Sequence, residues 1–125
     1  MTNYLLVFLG AGLGGALRHA ANELTLRSFG STYPVSTLAV NIVGSFAMGL
    51  LAGYFAFRGE AGQVWRLFLA TGVLGGFTTF SAFSLEVVLL YERGAVMQAA
   101  LYIVLSVALS VAGLMLGLWC FRQAA

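Results

Sequence analysis

The chain has 125 residues, of which 61% are hydrophobic and only 8% are charged, and its formal net charge is +2. A composition this apolar excludes an ordinary soluble domain and indicates a protein whose solvent is a lipid bilayer. No basic run is present that would suggest nucleic acid. At about 20 residues per crossing, the length fits four transmembrane helices with short connections, so we expect an all-α integral membrane protein with a single domain, residues 1–125.

The first segment, roughly Tyr4 to Asn22, is rich in glycine at its centre. Gly10 and Gly14 have the spacing that lets two membrane helices pack closely, and Gly12 and Gly15 lie beside them. The segment lacks the positive amino-terminal region and the cleavage site of a secretory signal, so we expect it to remain as a spanning helix.

Arg18 is an ionisable residue inside this apolar pattern, about one turn before the polar pair Asn22 and Glu23. Its side chain either extends to the membrane interface or faces water within the protein. The sequence leaves both interpretations open.

The second segment, roughly Ser36 to Phe57, follows a loop predicted from Glu23 to Ser36 that contains the sole proline, Pro34. Ser36 or Thr37 is expected to cap this helix. Steps of four residues place a polar stripe on one face of the helix, formed by Thr37, Asn41 and Ser45. An unpaired amide in hydrocarbon is costly, so Asn41 is expected to bond across helices or to face a wet pathway.

The third segment, roughly Val64 to Leu90, is long for one crossing and contains the stretch TGVLGGFTTFSAFS at residues 71–84. Adjacent glycines followed by two threonines weaken helix propensity, so we predict a helix broken at mid-membrane depth. Phe80 and Phe83 share a face if the helix resumes, and Ser81 and Ser84 add hydroxyls beside them. Broken helices mark binding sites in membrane proteins, but close packing of small residues explains the same composition.

The fourth segment, roughly Ala95 to Phe121, carries a second hydroxyl stripe formed by Tyr102, Ser106 and Ser110. Gly113 and Gly117 form another close-packing pair, as Gly49 and Gly53 do in the second segment. Serine can bond its own helix backbone, so a stripe of this kind is often inert. Two such stripes together with a broken helix favour a polar path through the protein.

The arginines give no orientation in the membrane. One end of the four-helix arrangement holds Arg18, Arg27 and Arg93, and the other holds Arg58, Arg66 and Arg122. Three against three is no positive-inside bias, so both orientations are expected to insert. Two such molecules can then pair about a twofold axis in the membrane plane.

Catalytic and metal chemistry have no support in the residue pattern. Cys120 is the only cysteine, so an intrachain disulfide or a thiolate metal cluster cannot form, and the single histidine, His19, argues against a metal enzyme. An enzyme is therefore the least expected class. A structural subunit would explain the glycine spacings but not the position of Asn41 or the two stripes.

A small proton-coupled drug-cation antiporter, also built from four helices, is the strongest rival, but it requires a titratable acid deep in the membrane. The glutamates, Glu23, Glu60, Glu86 and Glu92, are all expected in loops or toward segment ends, with Glu86 reaching an aqueous vestibule.

The residues GGALRHA, STLAVNIVGSFAMG and GVLGGFTTFSAFSLE, in this order, resemble the bacterial fluoride channel family CrcB, and the resemblance covers essentially the whole chain. It implies an antiparallel, dual-topology homodimer in the bacterial cytoplasmic (inner) membrane, with two antiparallel pores that export fluoride passively. Ala82 departs from the hydroxyl residue common in the family, and His19 from a frequent aromatic.

The same resemblance assigns roles to individual residues. Phe80 and Phe83 would line the pore, Asn41 would turn its amide toward the ion, and Arg18 would lie near the vestibule. The backbone carbonyls of Gly75 and Thr78 would hold a structural sodium ion at the dimer centre. The remaining pore residues would be the hydroxyl groups of Thr37, Ser81, Ser84, Tyr102, Ser106 and Ser110.

Fluoride is small and strongly hydrated, so a pore must replace the hydrogen-bond donors of water. Hydroxyls, an amide and the positive edges of phenylalanine rings are groups that can do so. The residues by themselves lead to an anion-compatible polar path, and only the resemblance leads to fluoride.

Overall fold

Four long helical spans make up the chain. A computed structural model describes residues 2–29, 34–58 and 63–124. Three of the spans are single continuous helices, α1 (Thr2–Phe29), α2 (Val35–Arg58) and α6 (Val96–Ala124). The third span consists of α3 (Gln63–Trp65), a π-helix π1 (Arg66–Leu74), α4 (Gly75–Phe77) and α5 (Ser81–Glu92).

All four spans are long and apolar enough to cross a bilayer. They cover Thr2–Ser28, Val35–Phe55, Arg66–Glu92 and Val96–Cys120. Large apolar side chains on every span are exposed, among them Phe8, Val43, Leu85 and Leu109. Such a surface suits lipid and not water, so the predicted all-helical, multi-pass membrane architecture is confirmed.

The predicted loop after the first span was wrong over its first part, because α1 continues through Glu23 to Phe29. The hydroxyl of Thr25 donates to the carbonyl oxygens of Ala21 and Asn22, at 3.0 and 3.1 Å, and so stays on its own helix. His19 and Glu23, one turn apart, approach to 3.1 Å. These local contacts support helix in a polar sequence that we had interpreted as loop.

The start of α2 also differs from the prediction. The amide of Leu38 donates to the carbonyl of Pro34 at 3.3 Å, so the helix begins directly after the proline. Neither expected cap acts as one. The Ser36 hydroxyl bonds the side-chain oxygen of Asn22, and the Thr37 hydroxyl bonds Glu86. Both side chains join helices instead of closing a helix end.

Some sequence predictions fall outside the described residues. These are residues 30–33 of the predicted loop, the turn at residues 59–62 with Glu60, and the side chains of Arg58 and Arg122.

In the third span, regular helical structure stops between α4 and α5. Gly75 and Gly76 are still helical, whereas Thr78 has an extended backbone with φ −85° and ψ 158°. Helix resumes at Ser81. The non-helical residues are thus Thr78 to Phe80, and they begin three positions after Gly75. The interruption falls at the threonines because β-branched residues favour an extended backbone.

The nine-residue π-helix was not foreseen. Its hydrogen bonds join residues five apart, which makes a wider turn than an α-helix. Hydrophobic periodicity does not distinguish the two kinds of helix over so short a length.

Helix pairs approach closely at glycines, as their spacing predicted. A Cβ on Gly10 would lie 2.6 Å from the carbonyl oxygen of Phe68, and one on Gly14 would collide with the carbonyl of Val73. In the same way Gly49 and Gly117 bring α2 against α6. Gly12 has nothing within 4 Å within this chain. The principal packing pairs are therefore α1 with π1 and α4, and α2 with α6.

A tight turn joins α5 to α6. Gly94 has φ +84°, and the amide of Ala95 donates to the carbonyl of Leu90 at 2.9 Å. This pattern is a Schellman ending, in which glycine takes the left-handed conformation that other residues avoid. The turn sets α5 and α6 side by side, with a small core of Phe83, Leu90, Ala99 and Tyr102 between them.

Candidate functional site

Asn41 of α2 pairs with the backbone of Thr79 in the non-helical segment. Its side-chain nitrogen donates to the Thr79 carbonyl at 3.0 Å, and its side-chain oxygen accepts the Thr79 amide at 2.9 Å. The expected choice for Asn41 was a bond across helices or a wet path. The structure has the first, since both ends of the amide satisfy backbone groups that lack helical partners.

Thr79 also organises the start of α5, a role that the sequence did not suggest to us. Its hydroxyl accepts the amide of Ala82 at 3.2 Å and lies 3.4 Å from the Ser81 hydroxyl. A threonine shortly before a helix is a capping signal, and it would have been found by applying the cap rule inside the third segment. Thr79 thus connects α2 to the beginning of α5.

The two candidate phenylalanines form a short aromatic row with Tyr102. The rings of Phe80 and Phe83 have centroids 5.5 Å apart, and Phe83 lies 5.2 Å from Tyr102. Phe83 is 8% exposed, whereas Phe80 is 77% exposed within this chain. The two predicted partners do share a face, but only Phe80 leaves most of its ring free.

An open groove of approximately 400 Å³ runs beside the non-helical segment, between α2, the third span and α6. The described residues that line it are uncharged. Seven of the predicted site residues line it: Asn41, Gly75, Thr78, Phe80, Phe83, Ser106 and Ser110. Its mostly apolar wall with a few polar groups is typical of a site for a small ligand.

Ser106 is a polar residue of this groove whose buried hydroxyl lacks a hydrogen-bond partner in the part of the chain that the structure describes. It is 6% exposed, and its buried hydroxyl makes no hydrogen bond among the described residues. A buried polar group without a partner is rare and calls for an explanation, such as a ligand or ion. The hydroxyl stripe in the sequence predicted Ser106 and Ser110 alike as pore residues, but it did not indicate that the Ser106 hydroxyl is buried without a partner.

Thr37 and Tyr102, predicted as pore residues, instead bond Glu86. The Thr37 hydroxyl donates to one carboxylate oxygen at 3.0 Å, and the Tyr102 hydroxyl donates to the other at 2.8 Å. Thr37 and Tyr102 are 4% and 6% exposed. Glu86 lies toward the carboxyl end of the third span, as expected, but it is half-buried on α5 and bonded by two hydroxyls. The rule that an ionisable residue in an apolar span is functional by default would have singled it out.

The two remaining serines of the predicted set lie away from the groove lining. Ser81 is exposed on the first turn of α5, and Ser84 is half-buried with its amide bonded to the Phe80 carbonyl at 2.8 Å. Both are close in sequence to Phe80, but the structure does not gather them with Ser106.

Arg18 folds onto the protein. Its Nε donates to the backbone carbonyl of Gly76 at 3.2 Å, so the half-buried side chain contacts the end of α4. This contact does not decide between the two expectations for Arg18, the membrane interface or water within the protein, and its place near a vestibule stays a prediction.

The carbonyl oxygens of Gly75 and Thr78 are chemically suitable ligands for a cation, but one chain supplies too few of them. The Thr79 amide donates to Asn41, so it does not close a helical bond to Gly75, and the carbonyl end of a helix carries partial negative charge. Carbonyl oxygens at an unwound helix are ligands for sodium in membrane proteins. Two oxygens from one chain are fewer than a hard cation requires, so the rest would have to come from elsewhere. Among the described residues, no three acidic, histidine or cysteine side chains gather as a metal site.

Comparison with known proteins agrees with this architecture. A family model described as CrcB-like protein, Camphor Resistance (CrcB), matches residues 5–118. A Nitrobacter hamburgensis protein named fluoride-specific ion channel FluC 2 is 60% identical over 121 residues, covering 97% of this chain and 98% of the relative.

Two further relatives share the name fluoride-specific ion channel FluC. The Rhodopseudomonas palustris protein is 59% identical over 119 residues, covering 95% of this chain and 96% of its own length. The Methylobacterium nodulans protein is 58% identical over 123 residues, covering 98% of each. A family match over nearly the whole sequence and relatives at this identity establish that the chain belongs to the CrcB family.

Proposed function

We propose that this chain is the subunit of a fluoride-selective ion channel that allows passive export of fluoride across the bacterial cytoplasmic membrane. Its relatives bear the name fluoride-specific ion channel, at 58 to 60% identity over nearly their whole length. Two subunits would pair antiparallel and enclose two pores.

The observation that carries this proposal is the groove with the unpartnered Ser106 hydroxyl. Ser110 adds a second hydroxyl to the same wall, and the exposed ring of Phe80 lies at its side. Hydroxyl donors and ring edges replace the water around a small anion, and the uncharged wall lets the ion leave again. Asn41 contributes the one side-chain N–H that the Thr79 carbonyl does not occupy.

A second copy of the chain would close this groove. Within one chain the groove is open, and Gly75 and Phe80 on its wall are exposed. An antiparallel twofold axis beside Gly75 would bring two helix ends together and double the number of free carbonyls. Gly75 and Thr78 of both copies would then hold the sodium ion, which would offset the partial negative charge of two meeting helix ends.

The half-buried Glu86 makes proton-coupled exchange the alternative to test. A carboxylate within an apolar span can carry protons in transporters. Here its two oxygens accept hydrogen bonds from the hydroxyls of Thr37 and Tyr102, and these contacts hold the side chain in place. The two alternatives differ in one measurable property: a passive channel conducts fluoride without a pH gradient, whereas a proton-coupled exchanger requires one.

Fluoride efflux from liposomes that contain the purified protein tests the function directly. We expect rapid efflux down a fluoride gradient, with no comparable chloride efflux and no requirement for a pH gradient. Similar rates for both halides would contradict selectivity. Efflux only with a proton gradient would support exchange, and no efflux would support a structural subunit.

Phe80 permits a sharper test of the pore, because most of its ring is exposed and a change there removes little packing beyond the contact with Phe83. We expect Phe80→Ile to lower fluoride efflux on the order of tenfold, equivalent to about 1.4 kcal/mol on the barrier. Phe8→Ile, which alters a ring of similar exposure (73% against 77%) on α1, is the matched control. Equal rates for the two variants would refute the placement of Phe80 in the pore.

A further inference from the structure

The end of α4 leaves a backbone carbonyl that Arg18 satisfies. In a continuous helix the Gly76 carbonyl would accept the amide of Phe80, four residues later. The helix stops at Phe77, and the carbonyl accepts instead from Nε of Arg18 at 3.2 Å. Arg18 is 58 residues away in sequence, so the contact joins α1 directly to the interruption of the third span.

Close backbone packing fixes the position of Arg18 relative to this carbonyl. A Cβ on Gly76 would collide with the Ala11 carbonyl, and a Cβ on Gly14 would lie 2.8 Å from the Phe77 amide. Ala11, Gly14 and Arg18 occupy one face of α1, at steps of three and four residues. The face that carries Arg18 is therefore held against α4 by glycine contacts.

The non-helical segment is then held from two sides. Before the segment, Arg18 bonds the Gly76 carbonyl of α4. Within the segment, Asn41 of α2 bonds both the amide and the carbonyl of Thr79. Phe80 follows Thr79 directly and its ring is 77% exposed, so few packing contacts of its own fix that ring. Arg18 and Asn41 therefore help to fix the backbone that leads into Phe80.

We propose that Arg18 is a positioning residue, whose Nε–H holds the end of α4 and thereby sets the place of the Phe80 ring. This role differs from concentrating anions by charge at a pore mouth, because it depends on a hydrogen-bond donor at one point and not on the charge. This proposal rests on the proposed function in one respect, namely that Phe80 lines the pore.

Three substitutions separate the donor from the charge. Arg18→Gln keeps an N–H donor at the same distance along the side chain as Nε but removes the charge. Arg18→Met has a side chain similar in length to that of glutamine and removes both the donor and the charge. Arg18→Lys keeps the charge and moves the donor one bond farther out.

The experiment combines fluoride efflux from liposomes with fluorine NMR of a single 4-fluorophenylalanine placed at position 80. We expect Arg18→Met to lower efflux about tenfold or more, the factor typical of one hydrogen bond from a charged donor, and Arg18→Gln to lose clearly less. The fluorine resonance should shift or broaden in Arg18→Met and remain nearer the parent signal in Arg18→Gln.

A charge effect predicts the opposite order. If Arg18→Lys conducts like the parent while Arg18→Gln falls as far as Arg18→Met, with the resonance unchanged in all three, the positioning role is refuted. If Arg18→Met fails to fold, Arg18→Gln and Arg18→Lys still separate the two roles: higher efflux in Arg18→Gln supports positioning, and higher efflux in Arg18→Lys supports a charge effect. A parent protein without fluoride efflux would overturn the proposed function, whereas the NMR comparison would still test the position of Phe80.

Discussion

Asn41 illustrates how one polar side chain supports an interruption in a neighbouring helix. Its amide oxygen and one of its N–H groups form hydrogen bonds with the Thr79 backbone, in place of the helical bonds that the segment has lost. A polar side chain in an apolar span is costly unless it is bonded, and here the bonding itself makes the non-helical segment acceptable.

Asn41→Ala should destabilise the protein by roughly 1–3 kcal/mol, because the amide and carbonyl of Thr79 would lose their partners. Fluoride efflux should fall as well. Ser45→Ala, one turn farther along the same face and also on the groove, is the control. Chemical unfolding in detergent micelles measures the stability, and equal stability of the two variants would contradict this account of Asn41.

Tyr102 bonds a carboxylate, although its place in a hydroxyl stripe had led us to expect it free in a pore. Tyr102→Phe keeps the ring against Phe83 and removes the hydroxyl that bonds Glu86. We expect a loss of about 0.5–2 kcal/mol in unfolding free energy, the range for hydrogen bonds between membrane helices and to charged groups. If Glu86→Leu, which removes the acceptor, abolishes most of that loss in a double-mutant cycle, the coupling is confirmed; additive effects would show that the contact contributes little.

At the scale of elements, glycines decide which helices pair. α1 approaches π1 and α4 so closely that the backbone of one helix touches the backbone of the next at Gly10, Gly14 and Gly76. Lipid is as apolar as leucine, so helix association in membranes depends on such close contact and not on a hydrophobic drive.

Gly14→Ala should therefore disrupt the packing of α1 on the third span, since the added methyl group would meet the Val73 carbonyl. We expect a loss of at least about 1–3 kcal/mol, as for overpacked cores. Gly12→Ala, on the same helix with nothing within 4 Å, should be neutral or slightly stabilising. Thermal unfolding of both proteins provides the comparison, and equal stability would contradict the close approach.

At the scale of the whole molecule, the structure of one chain has an open groove beside Thr78 to Phe80 and a small core between α5 and α6. Arginines divide equally between the two predicted ends, so the positive-inside rule predicts no preferred orientation in the membrane. These features together are the basis for proposing an antiparallel pair.

Reporters that act on only one side of the membrane, fused to the carboxyl terminus, should detect both orientations in similar amounts. Glu92→Arg raises one end from three arginines to four and should shift the population toward placing that end in the cytoplasm. A single orientation of the parent chain would contradict the proposal of dual topology.

Much of the fold follows from the sequence alone. The four apolar segments, the glycine pairs on α1, α2 and α6, and the polar stripes are periodic patterns, and periodicity specifies which residues share a helix face. The match to a known family also rests on sequence motifs. Seven predicted site residues therefore line one groove, Phe80 and Ser106 among them.

Tertiary structure decided how those residues are bonded. Periodicity contains no information on which helix lies opposite, so it did not reveal that Asn41 and Arg18 hold the interrupted third span, or that Thr37 and Tyr102 donate to Glu86. These contacts join residues from 16 to 58 positions apart. Their geometry exists only once the helices pack, because a hydrogen bond depends on distances of tenths of an ångström that a one-dimensional pattern does not contain.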